Sequence, residues 1–196
     1  MKYIIGLGNP GKEYEATRHN SGRLFVEYLQ KTWGFPDFEP ARHASRGDTG
    51  GENPARRSPA KRDEGGKKIQ ALTSKAKREE LGLVTLLLPQ TFMNKSGAIF
   101  KNLKVKPKDI IVAHDDADIL FGAFKLSFDK RSAGHKGVES VTRALKTKTF
   151  WRVRLGIQRK KRVDAMKLVL QPFQPAEKKM LTAIFKKAEE RLRNFE

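Results

Sequence analysis

The chain contains no cysteine, which excludes disulfides, thiol nucleophiles and cysteine-ligated metals. It has no apolar run approaching the roughly 20 residues that a membrane-spanning helix needs, so a soluble protein without membrane attachment is expected. The apolar run Tyr3-Ile4-Ile5 begins so close to the first residue that no secretory signal core fits ahead of it. A cytoplasmic location is therefore the expectation. Between Pro40 and Lys68 there is no Val, Ile, Leu, Met, Phe, Trp or Tyr. Such a stretch cannot bury enough apolar surface to offset its ordering entropy, and residues 40–68 read as a flexible insertion. Acidic residues are outnumbered: 22 Asp and Glu face 41 Lys and Arg, a net charge of +19 over 196 residues. That excess favours a polyanionic partner, of which nucleic acid is the commonest. It is not confined to a tail, because Lys101 to Arg162 holds 17 basic against 6 acidic residues among periodic apolar positions.

The length suits one domain spanning residues 1–196. Lys2 to Leu7 reads as a first strand. Asn20 or Ser21 can cap a helix that places Leu24, Phe25, Tyr28 and Leu29 on one face. Ile69 to Ser74 and Val84 to Leu88 read as strands joined by the charged stretch Lys75 to Glu80. Ile99, Phe100 and Leu103 predict a helix after Gly97. Asp109 to Ala113 reads as a buried strand ending at the cluster His114-Asp115-Asp116-Ala117-Asp118. Phe124 to Phe128 alternates as a strand, and Val138, Val141 and Leu145 have helical spacing. Trp151 to Ile157 alternates with Arg152, Arg154 and Gln158 as in a half-exposed strand, and an amphipathic helix follows Pro175. Interleaved strands and helices predict an α/β fold, a mixed twisted sheet with helices on both faces.

The turn Gly6-Leu7-Gly8-Asn9-Pro10-Gly11 satisfies G-x-G-x-x-G literally. The dinucleotide reading nevertheless fails, because Lys12 to Glu15 separates the glycines from any helix, and the window for its acidic residue, Gln30 to Trp33, holds none and reads as the end of a helix. Asn9, His19, the turn Thr91 to Asn94 and Asp115 all sit at strand ends or in turns, where α/β folds bind ligands. A histidine beside a carboxylate suits general-base work on water, and two amides can bind a carbonyl and its developing charge. Hydrolysis by water is the natural reaction. His114, Asp115, Asp116 and Asp118 form an alternative oxygen-rich cation cluster, but they lack a recognised metal-loop spacing.

Four motifs then converge. Gly6 to Gly11 with Tyr14 and Thr17-Arg18-His19-Asn20-Ser21-Gly22 resembles the N-terminal signature of bacterial-type peptidyl-tRNA hydrolases. Pro89 to Gly97, Val112 to Asp118, and Ser132 to Gly137 with Phe150 to Ile157 are similar to their later motifs, in the same order. The resemblance implies cleavage of the ester between a peptide and the 3′-terminal ribose of tRNA, by a monomer needing no cofactor or metal. It implies His19 as general base, Asp115 as its orienting partner and Asn9 at the scissile carbonyl. It places Tyr14, Phe92, Met93 and Asn94 along the substrate site, with the basic surface meeting the tRNA phosphates. A non-catalytic RNA-binding relative acting in RNA processing is the alternative, and intact Asn9, His19, Asn94 and Asp115 argue against it. One motif departs from the family. Where Gly-Gly-His-Asn-Gly is usual, Gly134-His135-Lys136-Gly137 stands one glycine short, with Lys136 in place of a substrate-binding Asn. A lysine there can meet a phosphate but cannot accept a hydrogen bond.

Overall fold

The computed structural model of the protein describes residues 1–41, 70–103 and 105–194. Ile4 and Ile5 fix the centre of its sheet. They lie on opposite faces of β1 (Lys2–Gly6), and both are fully buried. A strand that is apolar on both faces belongs inside a sheet covered twice. β1 accordingly lies between β4 (Gly82–Pro89) and β5 (Ile110–Leu120), parallel to both. With β2 (Glu39–Pro40), β3 (Ala71–Arg78), β6 (Phe124–Phe128) and β7 (Trp151–Gln158), the strand order is β2-β3-β4-β1-β5-β7-β6. β7 runs parallel to β5, while β2/β3, β3/β4 and β6/β7 are antiparallel, so the sheet is mixed.

On one face, Ile4, Leu86, Ile111 and Val153 pack with Phe25 and Leu29 of α1 (Ser21–Thr32). Leu168 of α3 (Ala165–Val169) and Ile184 and Phe185 of α4 (Pro175–Arg193) complete that layer. On the other face, Ile5, Leu87 and Val112 pack with Val138 and Val141 of α2 (Lys136–Leu145) and with Met93 and Ile99. The expected α/β architecture with helices on both faces is what the chain forms.

Several local expectations change. Of the charged stretch Lys75 to Glu80, only Glu79 and Glu80 belong to the connection: β3 continues to Arg78, where Lys77 pairs with Leu83 and Arg78 with Gly82. Backbone pairing with the apolar β4 outweighs the charges, which leave the strand sideways into solvent; Lys75 and Lys77 are exposed. β5 does not stop at Ala113. It runs through His114, Asp115 and Asp116, because β7 pairs alongside as far as Asp116↔Gly156, before a register shift ahead of Leu120. β7 is not half-exposed. Arg152 is buried, its Nη1 donating to the Arg131 carbonyl oxygen at 2.9 Å. The helix expected after Gly97 begins earlier, as 3₁₀ turns over Met93–Asn102. The expected insertion lies outside the described residues except for its first two: Pro40 belongs to β2, and Ala41 N donates to the Ala71 carbonyl.

Candidate active site

The carboxyl ends of β1 and β4 lie side by side, and the site is built where they stop, against the part of β5 that runs on past Ala113 through Asp115. After β1, Leu7 N bonds the Ala113 carbonyl and carries the chain one residue further along β5. Gly11 then turns it with φ 116°, a conformation L side chains rarely adopt. The next element that matters is a 3₁₀ turn, Arg18–Asn20. Three residues make one such turn, so successive side chains leave it about 120° apart. Arg18 reaches α4, His19 reaches β5, and Asn20 reaches back to the first loop.

Of the two expected caps, Asn20 rather than Ser21 stands at the cap position of α1, but its side chain makes no capping bond. Instead, Asn20 Oδ1 accepts from Asn9 N at 2.8 Å, and Asn20 Nδ2 donates to the Asn9 carbonyl at 3.0 Å. The end of α1 is served by the backbone, through Arg23 N to the Leu7 carbonyl at 2.9 Å. α1 can approach this closely because Gly22 has no side chain; a Cβ there would meet the Ala113 carbonyl oxygen at 2.1 Å. Asn9 is thus held through its backbone. Its side chain is held too, since Oδ1 accepts from Met93 N at 2.8 Å. A flipped amide would set two donors against each other, so the orientation is unambiguous. Asn9 Nδ2 makes no other hydrogen bond among the described residues.

His19 Nδ1 lies 2.9 Å from Asp115 Oδ1. The same oxygen lies 2.8 Å from His135 Nε2. His135 precedes α2, and its Nδ1 accepts from Gly137 N at 3.1 Å and Val138 N at 3.3 Å, filling the cap position. Those bonds set its tautomer. Nδ1 must carry a lone pair, so Nε2 carries the proton and donates to Asp115. Asp115 therefore accepts from two imidazoles on one oxygen. Burial pushes its pKa up, but the electrostatic attraction of His135 and His19 and their hydrogen bonds overcome this and hold it well below the usual carboxylate range. For His19, burial lowers the pKa, the attraction and hydrogen bond of Asp115 raise it, and the balance lies above the ordinary 6.5. His114 stacks edge-on against His135 at 4.8 Å. Burial, and after it His135, pushes its pKa well below the usual value, so it stays neutral.

His19, Asp115 and His135 bring three ligand-type atoms within 4.8 Å of one another. The donor chemistry does not suit a metal, because His135 Nε2 must stay protonated while Nδ1 serves the helix. The alternative cation cluster is dispersed by its own partners. Asp116 bonds Arg154 at 2.7 Å, Asp118 bonds Arg162 at 2.9 Å, and His114 Nδ1 lies 2.6 Å from the Asp115 carbonyl.

The remaining expected residues divide. Tyr14 and Phe92 meet edge to face at 6.4 Å, and Phe92 is 56% exposed, an aromatic lip across two loops. Asn94 is exposed beside them. Met93 is buried in the core, and what it offers the site is its backbone N–H. Lys136 is exposed on the first turn of α2, 3.3 Å from Glu139 of the same helix. A pocket of about 260 Å³ adjoins Asn9 and is also lined by Glu15, Arg23, Glu27 and Gln90. His135 and Arg18 carry roles not expected from the sequence, and Asn20 carries one other than the cap expected of it. The signal for His135 was its place two residues before Gly137 at the start of the Val138-Val141-Leu145 period, a helix-cap position.

Fold and site together define an α/β protein with a histidine–carboxylate–histidine cluster at the carboxyl end of its parallel strands. The sequence model of the family described as peptidyl-tRNA hydrolase matches residues 3–195. A peptidyl-tRNA hydrolase of Aquifex aeolicus is 36% identical over 195 residues, covering 96% of this chain and 86% of its own. One of Lactobacillus johnsonii is 32% identical, covering 100% of this chain and 92% of its own. The solved structure of a mutant peptidyl-tRNA hydrolase from Acinetobacter baumannii superposes with a TM-score of 0.75 at 26% identity, over 98% of this chain and 87% of that one. The chain belongs to the peptidyl-tRNA hydrolase family.

Proposed function

We propose that the protein hydrolyses the ester joining a peptide to the 3′-terminal ribose of tRNA, releasing free tRNA, with His19 as general base. The observation that carries this is the His19–Asp115 bond at 2.9 Å. With Nδ1–H committed to Asp115, Nε2 holds its lone pair and can take a proton from water. The resulting hydroxide attacks the ester carbonyl. Asn9 Nδ2, locked by Met93 N on the same amide, is available to the developing oxyanion without reorganising. The imidazolium then returns its proton to the ribose oxygen as the ester bond breaks, so the proton balance closes within one histidine. Asp115, held ionised, stabilises that imidazolium.

Exposed Lys125, Lys130, Arg131, Lys136, Arg143 and Lys146 follow one another along β6, its following loop and α2, and offer tRNA phosphates a basic surface. Phe92 and Tyr14 supply a stacking surface for a terminal base. The protein works as a cytoplasmic monomer with no cofactor; among the described residues, no helix is long and apolar enough to cross a membrane.

The test is release of peptide from N-blocked aminoacyl-tRNA, against free aminoacyl-tRNA, in chelator. Turnover of the blocked substrate alone is expected, and His19→Ala should slow it roughly 100-fold or more, the scale of a general base. A near-normal His19→Ala rate would remove His19 from the mechanism. A requirement for divalent cation, with tRNA folding controlled, would remove the metal-free mechanism.

A further inference from the structure

The residue before His19 is fully buried and charged. Arg18 has 0% exposure, and its Nη2 lies 2.7 Å from both carboxylate oxygens of Glu177 on the first turn of α4. The Arg18 guanidinium also lies 4.9 Å from the Phe173 ring centre and 5.8 Å from that of Phe121. Its backbone is bound to the same segment. Arg18 N donates to the Gln171 carbonyl, Phe173 N donates to the Ala16 carbonyl, and Thr17 bridges Pro172. Glu177 is itself fixed, since its Oε2 accepts from Gln174 N at 2.8 Å.

This is an expensive arrangement for a connecting turn. Arg18 Nε and Nη1 have no hydrogen-bond partner among the described residues, and buried ion pairs commonly stabilise no better than apolar side chains of similar size. The position has a geometric consequence instead. In a three-residue turn, the direction of one side chain sets the directions of the next two. Clamping Arg18 to α4 therefore aims its neighbour His19 at Asp115, while Asn20 is held independently by its own two bonds to the Asn9 backbone.

We propose that Arg18, held by Glu177, is a positioning residue for the reaction: it locks the 3₁₀ turn so that His19 stays on Asp115. The proposal rests on His19 being the base. It makes the N-terminal turn of α4, remote in sequence, part of the apparatus that aims the base. Arg18 touches no substrate, so its loss acts through His19 alone.

The experiment is a double-mutant cycle. Arg18→Met and Glu177→Gln are each made alone and with His19→Ala, and assayed on N-blocked aminoacyl-tRNA at a temperature well below each variant's melting point. Each single variant is expected to lose about tenfold to a hundredfold in kcat, the cost of a small misplacement of a reacting group, with KM and tRNA affinity unchanged. In the His19→Ala background, neither substitution should slow the reaction further, because the group they position is gone. Full loss in that background too would show a general structural effect and overturn the proposal. So would unchanged kcat in folded Glu177→Gln, which keeps the test open if Arg18→Met does not fold. An active His19→Ala enzyme would instead overturn the assignment of the base, a separate outcome read from the same cycle.

Discussion

His19 Nδ1 and Asp115 Oδ1 meet at 2.9 Å across 96 positions of sequence. The contact ties the tautomer, direction and basicity of one imidazole to a single buried oxygen, which His135 shares from the other side.

The first consequence is a pH profile. Asp115 favours the protonated form of His19, whose pKa lies above 6.5. The rate on N-blocked aminoacyl-tRNA should therefore rise with pH through an apparent pKa above that value. Asp115→Asn removes the charge, so the acid limb should move to lower pH while kcat falls and tRNA binding stays largely intact. An acid limb that does not move would show that Asp115 does not govern His19.

His135 carries two duties, and substitution should separate them. His135→Ala removes the acceptor that caps α2, a loss of about 1 kcal/mol, and also one donor to Asp115. Asn is a favoured cap residue, so His135→Asn should recover melting temperature more than it recovers kcat. Equal recovery of both would mean that the contact with Asp115 does nothing beyond holding the helix.

Acid stability follows from His114. Its folded pKa lies well below 6.5 because it is buried, so its contribution is intact above 6.5 and is lost as pH falls from there toward the lower folded value. Asp115, depressed from 3.8, adds a further loss only as pH falls below the usual carboxylate range. His19 works in the opposite sense, since a raised pKa contributes below 6.5 and fades as pH rises. Urea unfolding measured from pH 7 down to pH 5 should show stability falling less steeply in His114→Asn than in the parent. Parallel curves would assign the acid sensitivity elsewhere.

Lys136 stands where the family has an amide. It is exposed, and a surface pair such as Lys136–Glu139 adds little stability. Lys136→Ala should leave the melting temperature unchanged. If the ammonium meets a tRNA phosphate, the same change should raise KM with little effect on kcat and flatten the salt dependence of binding. Lys136→Asn exceeding the parent in kcat would mark the lysine as a defect in the site. Unaltered kinetics in both variants would place Lys136 outside it.

The chain's local signals carried much of this protein. Paired apolar residues such as Ile4 and Ile5 announce a strand buried on both faces, and Val138, Val141 and Leu145 announce a helix, because burial must follow the period of the backbone. His19, Asp115 and Asn9 could be picked out as candidates because a histidine, a carboxylate and an amide are the groups that base-catalysed hydrolysis requires, and each falls in a family-like motif. What stayed hidden depended on contacts between distant segments. Asp115 lies within β5 because β7 pairs beside it, and the charges of β3 read as a loop until β4 is seen alongside. His135 shares its motif with Lys136, and no local pattern shows that its Nε2 would reach the oxygen that His19 uses. Arg18 looks like one more basic residue in a basic chain until α4 returns to bury it. A side chain's type limits the bonds it can make; which bond it makes depends on the segment that folding brings against it.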